Sequence, residues 1–244
     1  MNDRNQTIDL LEHGAARDGV AQTLDRRLFM QLLVFDCSAT HGPARALAAL
    51  GKALVQHEVP SVIYEDLNNP AGIGLLSWSE EPLDFTGKLR AALEDESLAG
   101  LRLRPELTML GRSYASGFEP DLEHWLLRRP RETVLNEAWP WAVWYPLRRS
   151  GAFQTLEPRE RAAILREHGE IGRAYGAAEL AHDVRLACHG LDASDNEFLI
   201  GLIGKSLHPL SHLVEAMRKT RQTSEFISQM GPFFAGHAAF SNPG

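Results

Sequence analysis

The sequence predicts an α+β fold made of two ferredoxin-like β-α-β-β-α-β repeats that form a dimeric α+β barrel-type domain. Three observations predict it. The chain has 244 residues, enough for two units of about 100 residues each. Hydrophobic residues make up 44% of it and charged residues 23%, the composition of an ordinary globular protein. The order strand, helix, strand, strand, helix, strand can be traced twice along the chain.

The first repeat is placed at residues 28–118, after a polar arm (1–27) that we expect to be flexible or loosely docked. Apolar runs predict its strands, and a proline followed by apolar residues at helical spacing predicts its first helix. Its predicted elements are a strand at 28–37, a helix at 43–57, strands at 61–65 and 72–78, a helix at 82–98 and a strand at 107–114.

The second repeat is placed at residues 139–238. Its predicted elements are a strand at 141–147, a helix at 158–175, strands at 184–189 and 197–204, a helix at 209–222 and a short strand at 232–235. Residues 119–138 form a connecting insertion that is too long for a simple turn. A short helix at 122–127 is expected there, as part of a pocket wall, a lid or a plain linker.

Charge and hydropathy exclude two classes of function. A formal net charge of −7 argues against a nucleic-acid-binding protein, because phosphate binding requires a basic surface. No apolar run approaches the length of a membrane span. The N-terminal arm lacks the apolar segment of a secretory signal. We therefore expect a cytoplasmic protein in which Cys37 and Cys188 are reduced and half-buried.

His168 is the first candidate for chemistry. On the predicted helix it shares a face with apolar residues one turn away on either side. An ordinary core histidine would fit that position. Gly169 and Gly172 favour another interpretation, because glycine destabilises a helix interior by about 1 kcal/mol and here leaves space for a large flat ligand. A haem would need such an imidazole in an apolar pocket.

A haem would also need partners for its propionates. Tyr145, Arg148 and Arg149, at the end of the first strand of the second repeat, could supply a phenol and two guanidiniums. An ordinary strand end with solvated arginines fits the same residues equally well. On the last predicted helix, His208, His212 and Glu215 have a spacing that can bind a metal, but a solvated helix face is the better interpretation.

Four short stretches resemble, in the same order, sequences of the chlorite dismutase and coproheme decarboxylase family. They lie within residues 139–236, about 40% of the chain. They are His168-Gly169-Glu170-Ile171-Gly172-Arg173-Ala174-Tyr175, similar to the stretch that carries the proximal haem ligand; Tyr145-Pro146-Leu147 with Arg148 and Arg149; Gly190-Leu191-Asp192 with Glu197-Phe198; and Met217-Arg218 with the closing Gly231-Pro232-Phe233-Phe234-Ala235-Gly236.

This resemblance implies roles for individual residues. His168 would be the proximal iron ligand, with Gly169 and Gly172 beside the cofactor. Tyr145 would correspond to the tyrosine that, in the decarboxylases, forms the radical that oxidises the propionates. Arg148 and Arg149 are candidates to orient those propionates.

The distal side departs from the family pattern. Chlorite dismutases have an arginine, and many decarboxylases a glutamine, seven residues before the glycine that corresponds to Gly190. That position is Asp183 in this chain, whereas counting forward from the proximal histidine gives Ala181. The mismatch amounts to two extra residues and leaves Asp183, His182 and Arg185 as alternatives for the distal residue.

The resemblance implies a haem-dependent oxidoreductase that binds coproheme or haem b. Coproheme decarboxylase-like chemistry with hydrogen peroxide is favoured, because no arginine falls at the expected distal position. The alternatives are a chlorite dismutase-like or peroxidase-like enzyme acting on a small oxyanion, a non-enzymatic haem carrier or sensor, and a barrel without haem in which His168 is merely buried. Family members are commonly pentamers, so a homo-oligomer is expected.

Overall fold

The computed structural model of the protein describes residues 8–39 and 42–244. The strands are β1 (Glu12–Arg17), β2 (Val20–Leu24), β3 (Phe29–Cys37), β4 (Ser61–Asp66), β5 (Gly72–Ser79), β6 (Leu101–Leu103), β7 (Met109–Arg112), β8 (Trp141–Arg149), β9 (His182–Ala187), β10 (Phe198–Gly204), β11 (Ile227–Met230) and β12 (Phe234–Asn242). The α-helices are α1 (Gly42–Gln56), α2 (Leu83–Thr86), α3 (Lys88–Leu93), α4 (Arg129–Val134), α5 (Pro158–Ala177) and α6 (Leu207–Arg218).

Two ferredoxin-like repeats form one closed antiparallel barrel. The strand order is β7–β3–β5–β4 in the first repeat and β12–β8–β10–β9 in the second. Each order places the fourth, first, third and second strand of its repeat side by side. Strand β4 pairs with β12, and β7 pairs with β9, so both edges of each repeat are occupied by the other repeat. The predicted fold is confirmed.

Side chains alternate along each strand between the barrel interior and an outer face covered by helices. Interior residues such as Trp144 and Phe234 are fully buried in one apolar core. Two glycines make room for these rings. A Cβ on Gly201 would lie 2.5 Å from the Trp144 ring, and a Cβ on Gly74 would lie 2.4 Å from the Phe234 ring. The interior is therefore filled by the protein's own aromatic side chains.

The N-terminal arm differs from its prediction, because β1 and β2 form a hairpin. The hairpin is held by tertiary contacts that its polar sequence does not reveal. The backbone N–H of Ala15 donates to the Glu119 carbonyl at 3.0 Å. The carboxylate of Glu12 accepts from the Ala115 N–H at 2.8 Å and from the Arg112 guanidinium at 3.2 Å.

The helix predicted at residues 82–98 is broken. It divides into α2, α3 and a short 3₁₀ turn (Glu96–Leu98), and Gly87 separates α2 from α3.

The last strand is longer than predicted. It becomes β12, which runs to Asn242 because it pairs with β8 of its own repeat and with β4 of the other. Strand β11 was not predicted.

The connecting insertion contains a helix longer than the predicted one. A π-helical turn (His124–Arg128) leads directly into α4. Pro130 explains the wide turn, since proline cannot donate the regular helical hydrogen bond and crowds the preceding carbonyls. Leu122, Leu126 and Val134 of this segment pack into the interior core.

Within the described ranges, no helix is long and apolar enough to cross a bilayer. Cys37 and Cys188 are both free and buried.

We predict that Gly201→Ala lowers the free energy of unfolding by about 1–3 kcal/mol, because the added methyl group must displace the Trp144 ring. Urea denaturation would measure the loss. Gly151→Ala is the matched control, since its Cβ would meet no atom within 4 Å. Equal stability of the two variants would contradict the tightly packed interior.

Candidate functional site

The outer sheet face is covered less completely in the second repeat than in the first. Helix α1 buries five residues there, and Ile73 and Leu75 of β5 beneath it are fully buried. Helix α5 has 20 residues but buries only Ile164. At the equivalent positions of β10, Phe198 and Ile200 are only half-buried. The outer face of β8, β10 and β9 beside α5 is therefore incompletely covered, and this face together with α5 is here called the α5 recess.

Two of the three glycines of α5, Gly169 and Gly172, have space around them. A Cβ on Gly172 would touch only the Met217 methyl group, at 3.7 Å. A Cβ on Gly169 would touch only the guanidinium of Arg173, at 3.4 Å. Close packing against other parts of the protein therefore does not explain either glycine.

His168 lies on the side of α5 that faces the last helix and the sheet. Its Nδ1 is 3.5 Å from the hydroxyl oxygen of Thr220, a long hydrogen bond. The Thr220 hydroxyl donates to the carbonyl of Met217 at 2.7 Å, so it can only accept from the imidazole. This arrangement is compatible with the tautomer that carries its proton on Nδ1 and leaves Nε2 with a free lone pair. A metal-binding histidine needs that tautomer.

The electrostatic surroundings also favour neutral His168. Burial lowers the pKa of the imidazole, and the positive charge of Arg185 lowers it further. A neutral imidazole is the form that binds iron. Metal binding at His168 would therefore compete little with protons near neutral pH.

Tyr145, Ile200 and Arg185 form one row across the sheet. In the strand register Ile200 pairs with Tyr145 on β8 and with Arg185 on β9, so all three side chains share the face below α5. The Tyr145 ring stacks on Phe233, with centroids 4.6 Å apart. Burial raises the pKa of the Tyr145 phenol, and the negative charge of Asp183 raises it further. The phenol is therefore protonated at neutral pH.

Asp183 and Arg185 form an ion pair on β9, with Nε of Arg185 2.9 Å from Oδ2 of Asp183. Burial alone would raise the pKa of the carboxyl, but Arg185 and Arg129 outweigh it and lower that pKa. Even so, 38% of the Asp183 side chain and 44% of the Arg185 side chain remain accessible. Charged groups that the surrounding protein partly desolvates, but that solvent still reaches, are typical of the floor of a cleft.

His182 is not brought to the recess. His182 precedes Asp183 on β9, so its side chain points to the opposite face of the strand. Its ring stacks on Trp139, with centroids 3.5 Å apart. Burial lowers the pKa of this imidazole too. Of the three alternatives for the distal residue, the structure brings Asp183 and Arg185 to the α5 recess and leaves His182 on the other side of the strand.

The two arginines at the end of β8 diverge. Arg149 lies at the edge of the recess, where its guanidinium contacts the rings of Phe153 and Phe198 at 4.6 and 4.5 Å and donates to Glu197 at 3.3 Å. Arg148 turns away and donates to backbone carbonyls of the β9–β10 turn. Only Arg149 of this pair borders the recess.

Comparison with known proteins identifies the family. The chlorite dismutase family model matches residues 51–239, most of the chain. The protein belongs to the chlorite dismutase family. No curated protein sequence matches it.

Solved structures share the fold of this family member at low sequence identity. A haem-binding protein from Thermus thermophilus is 20% identical, covers 90% of this chain and 93% of its own, and has a TM-score of 0.69. A variant chlorite dismutase from Candidatus Nitrospira defluvii in complex with cyanide is 15% identical, covers 87% and 91%, and has a TM-score of 0.68. The same enzyme in complex with imidazole is 14% identical, with coverages of 87% and 91% and a TM-score of 0.67.

The positions of Asp183 and Arg185 on β9 bear on the departure from the family's distal pattern. Asp183 occupies the position that counting from Gly190 predicts, and Arg185 lies two residues further along the same strand. Because side chains repeat their direction every two residues along a strand, both point to the same face. This family member therefore has an arginine on the sheet face of the recess despite its shifted spacing.

Arg218 was not among the site residues predicted from sequence, and the structure places it near Tyr145. It lies at the end of α6 and is close enough for its positive charge to lower the pKa of Tyr145, although burial dominates and that pKa is raised. Among the described residues, its guanidinium has no hydrogen bond or ion pair. The only sequence signal was the Met217-Arg218 match, which could not show where the side chain points.

The histidines of α6 are exposed, and each has its own contacts. His208 and His212 have ring centroids 6.0 Å apart, and Nδ1 of His212 contacts the Tyr175 hydroxyl. Glu215 pairs with Lys219 at 2.8 Å. The part of the chain that the structure describes contains no cluster of three metal-binding side chains. The solvated-face interpretation of these residues agrees with the structure.

The lowered pKa of His168 predicts a pH effect on the free protein. Because the folded protein lowers the pKa of this histidine below its ordinary value of 6.5, the unfolded chain binds more protons there than the folded protein does around that pH. Stability should therefore fall as the pH drops from about 7.5 to about 5.5, and His168→Leu should reduce that fall. Thermal unfolding at the two pH values measures it. His208→Leu, at an exposed site, is the control; equal behaviour of the two variants would contradict the desolvation of His168.

Proposed function

We propose that the protein binds one haem-type tetrapyrrole in the α5 recess and acts as a peroxide-dependent haem oxidoreductase, with coproheme decarboxylase-like activity. One observation carries the proposal. Helix α5 buries only one of its 20 residues, yet it aims a neutral histidine at a half-buried apolar sheet face that also presents Tyr145. A packed structural helix would bury that face, as α1 does.

The residues of the recess fit a haem or coproheme. His168 would bind iron through Nε2, oriented by Thr220. Phe198, Ile200 and Phe233 supply apolar and aromatic surface. Arg218, without an ion-pair partner in the described chain, would bind a propionate, and Arg149 stands at the edge for another. Membership of the family and the fold shared with a haem-binding protein support the same ligand.

When bound, the tetrapyrrole would supply iron that reacts with peroxide, and its own propionates would be the groups oxidised. The protein would hold a propionate in place and keep the Tyr145 phenol protonated. Tyr145 keeps its phenolic proton because burial raises its pKa, so it can give up hydrogen rather than bind iron as a phenolate. Arg218 would hold a carboxylate beside this phenol. The favoured reaction thus rests on Tyr145 lying in the recess.

Arg185 supports a second candidate function. A guanidinium on the sheet face opposite His168 could hold a small anion such as chlorite. On sequence alone, the absence of an arginine at the expected distal position spoke against chlorite decomposition, and Arg185 on this face weakens that objection. Offering hydrogen peroxide with coproheme, and separately chlorite with haem b, separates the two activities.

We predict saturable binding of ferric coproheme or haem b at one tetrapyrrole per chain, because the equivalent face of the first repeat is filled by α1. Absorption titration of the Soret band measures it. His168→Ala should shift the spectrum and weaken binding by at least about 10-fold, the cost expected for a lost metal ligand. His208→Ala is the exposed control and should bind as the wild type does. No Soret shift with either tetrapyrrole would refute the proposed function.

We predict that Tyr145→Phe abolishes peroxide-driven loss of carboxylate from bound coproheme while changing its affinity by less than about 3-fold. Chromatography and mass spectrometry of the extracted tetrapyrrole would follow the conversion of propionates to vinyl groups. Tyr64→Phe, a buried substitution in the barrel interior, is the control. Unchanged turnover in Tyr145→Phe would remove this tyrosine from the reaction. Tight binding without turnover in the wild type would leave a carrier or sensor.

A further inference from the structure

Arg129 of the connecting insertion reaches the second repeat and contacts Asp183 at two points. One guanidinium nitrogen donates to the Asp183 backbone carbonyl at 2.8 Å, and another donates to the carboxylate oxygen Oδ1 at 2.8 Å. The second carboxylate oxygen, Oδ2, accepts from Nε of Arg185 at 2.9 Å. The three side chains form a continuous chain from α4 to the floor of the α5 recess.

The position of Arg129 is itself fixed. Its guanidinium lies 4.5 Å from the ring of Trp125, one helical turn before it. The π-helical turn ends just before Arg129, and Leu126 and Val134 anchor the segment in the barrel core. Only 23% of the Arg129 side chain is accessible. A side chain held on several sides can impose a geometry on its partner.

We propose that Arg129 is a positioning residue, which fixes Asp183 and through it the guanidinium of Arg185 on the floor of the α5 recess. The inference rests on the proposed function, because it gives the connecting insertion a role in that same site. The ligand that Arg185 would meet is a small anion at the iron. Loss of Arg129 releases the Asp183 side chain, so that Arg185 loses its fixed partner and its guanidinium is no longer held in place.

The first test uses the free protein and requires no haem. In the wild type, the Arg185 Nε–H should exchange slowly with solvent, because it is bonded to a fixed carboxylate. Arginine side-chain NMR signals would measure the exchange rate. Arg129→Gln should accelerate it, whereas Arg128→Gln, whose only ion pair in the described chain is with Asp121 at 3.6 Å, should not. Unchanged exchange in Arg129→Gln would overturn the proposal.

The second test uses the haem-loaded protein with fluoride as the anionic probe and imidazole as the neutral one. Arg129→Gln should weaken fluoride binding by about 10-fold, the size typical of a charge-assisted hydrogen bond, and leave imidazole binding unchanged. Arg129→Lys keeps the charge but not the two-point contact, so it should not restore fluoride affinity. Full rescue by lysine, or the same loss for imidazole, would overturn positioning.

A double-mutant cycle completes the test. In the Asp183→Asn background, Arg129→Gln should have little further effect on fluoride affinity, because the connecting carboxylate is gone. A full effect there would mean that Arg129 acts independently of Asp183 and would contradict the proposal. A wild type that responds as expected in the exchange test and yet binds no haem would overturn the proposed function. That result would leave the positioning role of Arg129 intact.

Discussion

The two-residue alternation of side chains along the strands of a closed barrel is the constraint on which the rest of the structure depends. Trp144 and Tyr145 are neighbours in sequence, yet one fills the barrel interior and the other faces α5. The interior is closed to a ligand, because Gly201 already leaves only enough room for the Trp144 ring. A large flat ligand can therefore be bound only on an outer face, between sheet and helix.

The two repeats use that outer face differently. In the first repeat, α1 and α3 cover the sheet with aliphatic side chains such as Leu50 and Leu89. In the second, α6 packs through Leu210 and Leu213, but α5 contributes glycines, a histidine and partly buried side chains. The apolar surface left exposed in the second repeat carries a free-energy cost that a bound ligand would remove. The same topology thus gives one packed structural layer and one candidate site.

Much of this could be predicted from sequence. Buried strands such as β3 and β5 are continuous apolar runs, and the proline and apolar spacing around His168 predicted helix α5. The hairpin β1–β2 could not be predicted, because its polar strands are held by distant residues such as Glu119. The distal face was also beyond sequence reasoning. Alternation along β9 puts the Arg185 and His182 side chains on opposite faces of the strand, but only the fold shows which face lies under α5. The contact between Arg129 and Asp183 joins residues 54 positions apart in sequence.

Amide hydrogen exchange, compared between α1 and α5, tests most directly the claim that α5 is built to cover a ligand. In the free protein, α5 amides should exchange faster than α1 amides, since α5 packs through one buried residue and α1 through five. One equivalent of haem should slow exchange in α5 by at least about 10-fold and leave α1 unchanged. Equal protection of the two helices in the free protein, with no response to haem, would contradict the account.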